Sequence, residues 1–182
     1  STFVYLYAAT GQEAHLERAR EAALFLTRVA WNSELAAFPF ELSAVDQSAE
    51  PYSYFFDSGI IIRGLIALWR VNRDREFLDI AHACGHGMAK LFAAPGGEYH
   101  PILRLPGLTP IERDDRWSRN SGCYQLKSAL GWLDLFEETG DAAFEALYER
   151  ALDSALRSHE MFVPGHPDKE RVMDRLHAYC YF

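Results

Sequence analysis

Cysteine is scarce in this sequence. The three cysteines, Cys84, Cys123 and Cys180, are odd in number and far apart. Disulfide-stapled domains use many paired cysteines at close spacing, so we predict reduced thiols that are mostly buried. No signal-peptide pattern occurs in these residues, and we therefore expect a cytoplasmic protein.

Positive charge is also in short supply. The 18 Lys and Arg residues are outnumbered by 26 Asp and Glu residues, which gives a formal net charge of -8. Nucleic acids and anionic lipids attract basic surfaces, so we expect neither as a partner. The best apolar run, Ile60 to Trp69, contains Arg63. It is far shorter than the roughly 18 residues that a membrane span needs.

Several motifs of phosphate, nucleotide and acyl-transfer chemistry are missing. The sequence has no G-x-S-x-G elbow, no Gly-rich phosphate loop and no G-x-G-x-x-G fingerprint. We therefore expect no cofactor. His82 and His86 share a helix face, but Ala83 stands where a zinc protease has Glu. Two ligands without a third do not make a metal site, so we predict none.

What the sequence does contain is a repeat. Its 182 residues are 49% hydrophobic, enough for one domain or part of a larger one. A leucine and an aromatic residue precede a polar turn three times, with the turns near residues 10–12, 72–74 and 139–141. Each turn ends in Gln or Asp, which can start a helix. We predict three helix–turn–helix units.

The helices on the two sides of each turn differ in hydrophobic pattern. Those after the turns carry one apolar stripe, as in Phe77, Ala81, Cys84 and Met88, or in Phe144, Ala151, Ala155 and Leu156. Those before the turns, Ile60–Trp69 and Cys123–Phe136, are apolar on nearly all sides and must be buried on most of them. This alternation predicts an inner and an outer layer of helices.

The long connections all fall between an outer helix and the next inner one. They cover about residues 32–56, 94–119 and 164–174. Alternating helices bring these loops to one end, where we expect a cleft. Residues 2–7 and 175–182 resemble the last and first turns of further inner helices. We therefore expect residues 1–182 to form a single domain or a fragment, about half of a closed ring of helices, completed by further chain or by a homo-oligomer.

Three segments carry a family resemblance. They are Phe56-Asp57-Ser58-Gly59-Ile60 at one inner-helix start, Arg175-Leu176-His177-Ala178-Tyr179 at another, and Trp117-Ser118-Arg119-Asn120-Ser121-Gly122. Together with the repeat, they resemble the six-hairpin (α/α)6 toroid superfamily of glycoside hydrolases, N-acylglucosamine 2-epimerase-like enzymes and unsaturated glycuronyl hydrolases. The implied fold class is all-α, about half of a six-hairpin barrel.

This resemblance implies a carbohydrate-active enzyme, glycoside hydrolase-like, that acts on an oligosaccharide or a uronic-acid sugar. Glycoside hydrolysis uses two carboxylates, and the candidates are Asp57 with Asp114 or Asp115. Asp57 could instead serve as a helix N-cap. Asp114 and Asp115, between Arg113 and Arg116, could form a solvated charge cluster.

Sugar binding has its own candidates. Trp117 and Tyr124 can stack on a sugar ring, and Arg119 can bind a carboxylate; Tyr54 and His100 are further candidates. Packing of Trp117 under its loop and pairing of Arg119 with Asp114 or Asp115 are the alternatives.

Two other functions stay open. An epimerase would use His177 as general base with His100 as partner, although His177 could simply be a hydrogen-bonded core residue. A non-catalytic helical-repeat module could bind a glycan or a protein at the same end of the helices.

Overall fold

The computed structural model describes residues 1–42, 51–114, 116–162 and 169–182, without the side chain of Arg171. Helices dominate this part of the chain, as the repeat predicts. The helices are α1 (Thr2–Thr10), α2 (Glu13–Phe25, extended by a π-helical turn, Leu26–Ala30), α3 (Phe55–Asn72), α4 (Arg75–Leu91), α5 (Leu126–Thr139), α6 (Ala142–Phe162) and α7 (Lys169–Tyr179).

The three predicted turns join α1 to α2, α3 to α4 and α5 to α6 with the same backbone geometry. Their central residues, Gly11, Arg73 and Gly140, are left-handed, with φ of 67°, 56° and 70°. In each turn the central N–H donates to the carbonyl of the aromatic residue four positions earlier. This hydrogen bond is the left-handed helix C-cap, which ends one helix and redirects the chain into the next.

Aspartate starts two of the outer helices. Asp74 accepts a hydrogen bond from the N–H of Glu76, and Asp141 accepts one from the N–H of Ala143. The third predicted starter, Gln12, makes no side-chain cap hydrogen bond. Short side chains reach the first free N–H groups of a helix, which explains why the aspartates cap and the longer Gln12 does not.

The layers follow the hydrophobic pattern. α3 and α5 lie side by side and bury Ile62, Leu65, Trp132 and Leu135 completely or nearly so. The predicted stripe of α4 is buried against them, with Phe77, Ala81, Cys84 and Met88 all nearly inaccessible. The stripe of α6 is buried at Phe144, Ala151 and Ala155. The prediction is wrong for Leu156, the last residue of that stripe, which follows the buried Ala155 and is 53% exposed.

A small sheet closes the end where the long connections emerge. Strand β1 (Tyr52–Tyr54) pairs antiparallel with β2 (Ile102–Arg104), which pairs antiparallel with β3 (Thr109–Pro110). Short 3₁₀ turns at Trp117–Arg119 and Cys123–Gln125 lead into α5. The sheet thus fixes the chain that enters α3 against the loop that enters α5.

The last helix differs from its predicted position. Residues 175–182 were expected to open an inner helix, but α7 begins at Lys169 and ends at Tyr179. The residues before 175, Lys169 to Asp174, are mostly strong helix formers, which extend the helix toward α6. His177 therefore lies in the last turn of α7. Within the described residues, no helix is both long and apolar enough to cross a membrane.

Candidate functional site

A cavity of about 210 Å³ lies beside the N-terminal ends of the two inner helices. Its lining includes Tyr54 from β1, Asp57 from α3, Trp117 and Tyr124 from the two 3₁₀ turns, and His177 from α7. All five were candidate site residues in the sequence. The structure therefore brings most of the predicted site to one cavity.

Asp57 occupies the first turn of α3, not the N-cap position that the sequence suggested. The N-cap is Tyr54, because strand β1 runs directly into a helix that begins at Phe55. Burial raises the pKa of the Asp57 carboxyl, since a charged carboxylate loses hydration in this cavity. Within the cavity, the Asp57 carboxyl therefore keeps its proton to a higher pH than an exposed aspartate does.

Aromatic rings form the walls around this carboxyl. The Trp117 ring packs edge-on against Tyr124 and His177, with ring centres 5.1 and 5.0 Å apart. The Tyr124 hydroxyl donates to the carbonyl of Asn120 at 2.9 Å, and burial raises the pKa of Tyr124 well above its ordinary value. Burial and then the nearby Asp57 raise the pKa of Tyr54, while Arg119 opposes the shift. Both phenols are therefore neutral hydrogen-bonding groups.

Asp114, one of the two predicted partners of Asp57, pairs with arginine side chains and does not line the cavity. Asp114 accepts from Arg116 Nε at 2.9 Å, and Arg119 Nη1 lies 3.4 Å from it. Hydrogen bonds from the Arg116 side chain and backbone lower the pKa of Asp114 to about 2. Neither Asp114 nor Arg119 lines the cavity. Instead the two side chains pair with each other, which was the alternative interpretation of Arg119. Asp115 lies outside the described residues.

The two histidines of the epimerase hypothesis are not neighbours in the cavity. His177 lines it, with Nδ1 3.3 Å from the carbonyl of Asp174. His100 is half-buried next to Pro101, and only Pro101 of these two lines the cavity. Burial, followed by the charge of Arg113, lowers the pKa of His100. The shift favours the neutral imidazole, and His100 is not among the residues that line the cavity.

A wider groove of about 370 Å³ adjoins the cavity, and Phe56 and Tyr181 line both. The Lys127 ammonium lies 4.1 Å from the centre of the Tyr181 ring, and Arg63 and Asp134 form an ion pair across the groove. The sequence analysis missed Tyr181. Its position four residues after His177, one helical turn away, was the signal that could have found it.

A second group of chemically active side chains lies away from this cavity. His82 and His86 of α4 meet Asp141 in the turn before α6, and their ligand atoms lie within 4.8 Å of one another. Burial and the neighbouring His86 lower the pKa of His82. The predicted absence of a metal site rested on the lack of a third ligand. Asp141 provides one, so that reason no longer holds.

Comparison with known proteins identifies the fold. No family model and no curated protein sequence matches this chain. Among solved structures, 87% of the chain superposes on 41% of a family 76 α-mannanase from Bacteroides thetaiotaomicron, with a TM-score of 0.69 and 16% identity. A cellobiose 2-epimerase from Bacillus thermoamylovorans superposes with a TM-score of 0.67 and 13% identity, over 83% of this chain and 37% of that one.

A third neighbour is an unsaturated glucuronyl hydrolase specific for heparin. It has a TM-score of 0.63 and 14% identity, over 88% of this chain and 42% of that one. The chain thus spans well under half the length of these neighbours. At such low identity the likeness establishes the fold alone, and it confirms the expected all-α toroid fold over part of the length of these neighbours.

Proposed function

We propose that the cavity is a saccharide site of a carbohydrate-active enzyme, with glycoside hydrolysis as its reaction and Asp57 as general acid. One observation carries the proposal: a carboxyl group with a raised pKa lies in a cavity walled by Trp117 and Tyr124. A general acid must hold its proton near neutral pH, and burial is a common way to achieve this. Aromatic faces are suited to stacking on the apolar face of a sugar ring.

In this mechanism the protonated Asp57 donates its proton to the departing glycosidic oxygen. A second carboxylate then acts as nucleophile or activates a water molecule. Asp114 accepts hydrogen bonds from Arg116 that favour its ionised form, so it has the charge of a base, but it does not line the cavity. Asp115, its neighbour in sequence, is the other candidate. Arg119 and Lys127 are the cations that could bind a uronic-acid carboxylate near the cavity.

Sugar epimerisation is the second candidate, and it is favoured by the position of His177. This ring lines the same cavity as Asp57 and is exposed to it. A neutral imidazole can remove a proton next to a carbonyl group, and Asp57 could return a proton to the opposite face. His100, the other histidine of this hypothesis, would act only from the cavity's edge.

The test is turnover of a small panel of saccharides chosen from what the structural neighbours are described as processing. The panel contains α-mannan oligosaccharides, cellobiose and unsaturated glucuronyl disaccharides from heparin. New reducing ends report hydrolysis. Epimer formation with deuterium uptake from heavy water reports proton abstraction. Saturable binding without either signal indicates the non-catalytic module instead.

Three variants distinguish the roles. Under the hydrolase proposal Asp57→Asn lowers kcat at least about 100-fold, as expected for loss of a general acid, and His177→Gln lowers it less than about tenfold. The reverse order supports the epimerase. Glu145→Gln is the matched control, because Glu145 is also a first-turn carboxylate but lies in α6, away from the cavity. Full activity of Asp57→Asn on any substrate would overturn the proposal.

A further inference from the structure

We propose that His82, His86 and Asp141 form a binding site for a divalent transition-metal ion. The site is independent of the saccharide cavity. It joins the middle of α4 to the turn before α6, whereas the cavity lies at the N-terminal ends of α3 and α5. The expected occupant is Zn²⁺, an ion that accepts both nitrogen and oxygen ligands.

The spacing of the three ligand atoms favours a metal over a simple ion pair. Asp141 Oδ2 lies 3.5 Å from His86 Nε2 and 3.8 Å from His82 Nε2. Both distances exceed the 2.7–3.2 Å of a charge-assisted N–H···O hydrogen bond. Bonds of about 2.0–2.1 Å at tetrahedral angles place two ligand atoms about 3.3 Å apart. The two carboxylate–imidazole separations are within about 0.5 Å of that value, and all three ligand atoms lie within 4.8 Å of one another.

The ligands are held in place by contacts that do not use their metal-binding atoms. Asp141 uses Oδ1 to cap α6, accepting from the N–H of Ala143 at 2.9 Å, and this leaves Oδ2 directed at the histidines. His82 and His86 both pack on the Phe144 ring, with ring centres 5.2 and 4.5 Å away. This fixation lowers the entropy cost of assembling the site, as orienting partners do in known metal centres.

The chemistry of the ligands selects the ion. Two neutral imidazoles and one carboxylate suit Zn²⁺, Co²⁺, Ni²⁺ or Cu²⁺, whereas Mg²⁺ and Ca²⁺ prefer oxygen ligands alone. The three side chains are 33–48% exposed, so water can supply a fourth ligand. An ion bound there would link the α3–α4 hairpin to the α5–α6 hairpin and raise the stability of the chain.

The test is titration of the tag-free chain with CoCl₂, followed by the visible d–d absorption of the bound ion, and then displacement by ZnCl₂. We expect one Co²⁺ per chain with micromolar affinity, a tetrahedral-type spectrum, and no competition from MgCl₂. A near-saturating concentration of ZnCl₂ should raise the Tm by at least about 5 °C.

Two variants and two matched controls make the assignment specific. His86→Gln and Asp141→Asn should weaken binding by more than the roughly 10- to 100-fold that loss of an orienting partner costs. Asn still caps a helix, so Asp141→Asn keeps α6 intact. His15→Gln removes a histidine of α2, and Asp74→Asn alters the equivalent cap of α4; both should bind as the wild type does. Unchanged binding in His86→Gln and Asp141→Asn, or none in the wild type, overturns the proposal.

Discussion

Gly59 of α3 lies directly against the backbone of Ser128 in α5, and any side chain at position 59 would overlap the Ser128 carbonyl oxygen. The contact is reciprocal, because a Cβ at Gly131 of α5 would lie 3.1 Å from the carbonyl oxygen of Gly59. The Ser128 hydroxyl also donates to the carbonyl of Phe56 at 3.1 Å. The two inner helices therefore meet backbone to backbone, two residues from Asp57.

Gly59→Ala should destabilise the chain by about 2–3 kcal/mol, because the new methyl group must push the two inner helices apart. Gly64→Ala is the matched control in the same helix. The nearest atom to a Cβ at Gly64 is the backbone nitrogen of Ser1, 3.6 Å away, so helix propensity should stabilise this variant by up to about 1 kcal/mol. Urea unfolding of both measures the difference. Equal stability of the two variants would contradict the close approach.

The layer order was predictable because hydrophobic periodicity records which faces of a helix are buried. Ile60–Trp69 is apolar on nearly all sides, and it lies within α3, which α1, α2, α4 and α5 contact. The turns were also predictable, since Gly11 and Gly140 mark the left-handed position that ends a helix. Arg73 takes the same conformation without glycine, and only its place in the repeat indicated it.

The site was less predictable, since it depends on how distant segments are placed in register. Asp141 meets His82 because α4 and α6 pack at one particular offset, which local patterns do not specify. Asp114 belongs to a charged loop segment, and it pairs with Arg116 two residues along the chain and does not line the cavity. Asp57 was placed at the correct helix start, but β1 runs into α3 without a break and shifts the cap to Tyr54.

Part of the stability of the fold depends on the ionised form of Glu138. Hydrogen bonds from Arg70 at 2.7 Å and from Trp69 Nε1 at 3.0 Å lower the pKa of Glu138 below its usual 4.5, despite partial burial. A carboxyl group whose pKa is lower in the folded state stabilises the fold at pH values above its unfolded-state pKa. This contribution is lost as the pH falls through the folded-state pKa. Glu138→Gln should therefore cost about 1 kcal/mol at pH 7, a figure kept small because Arg70 is screened by solvent.

The pH dependence identifies the cause of this loss. The difference between wild type and Glu138→Gln should shrink as the pH is lowered below 4.5 and vanish near complete protonation. Glu137→Gln is the matched control, because Glu137 also accepts from Arg70, at 2.8 Å, but is 55% exposed. It should cost less at every pH. Chemical denaturation at several pH values measures both, and a pH-independent loss in Glu138→Gln would point to packing instead.

Asp57 should show the opposite pH dependence. Burial raises its pKa above the usual 3.8, so the folded state is penalised once the unfolded carboxyl ionises. The contribution of the protonated Asp57 to stability is fully present below its unfolded-state pKa. It is lost as the pH rises through its folded-state pKa. Asp57→Asn keeps the shape and removes the charge. It should raise the stability by up to about 1 kcal/mol at pH 7 and have no effect near pH 3.

This gain is measurable without any substrate, by thermal unfolding of both proteins across that pH range. Destabilisation by Asp57→Asn at pH 7 would mean that the ionised carboxylate makes a favourable contact, and it would argue against Asp57 as a proton donor.

Trp117 should contribute binding energy through the face of its indole. Its ring makes T-shaped contacts with Tyr124 and His177, and it lines the cavity. For the saccharide that the panel identifies, Trp117→Ala should weaken binding about tenfold, equivalent to the roughly 1.4 kcal/mol that one stacked ring contributes. Trp117→Phe keeps a smaller aromatic face and should recover most of that loss. Trp31→Phe, which alters a ring paired with Phe38 outside the cavity, should bind unchanged. Isothermal titration calorimetry separates these outcomes, and equal affinities for Trp117→Ala and the wild type would remove Trp117 from the saccharide site.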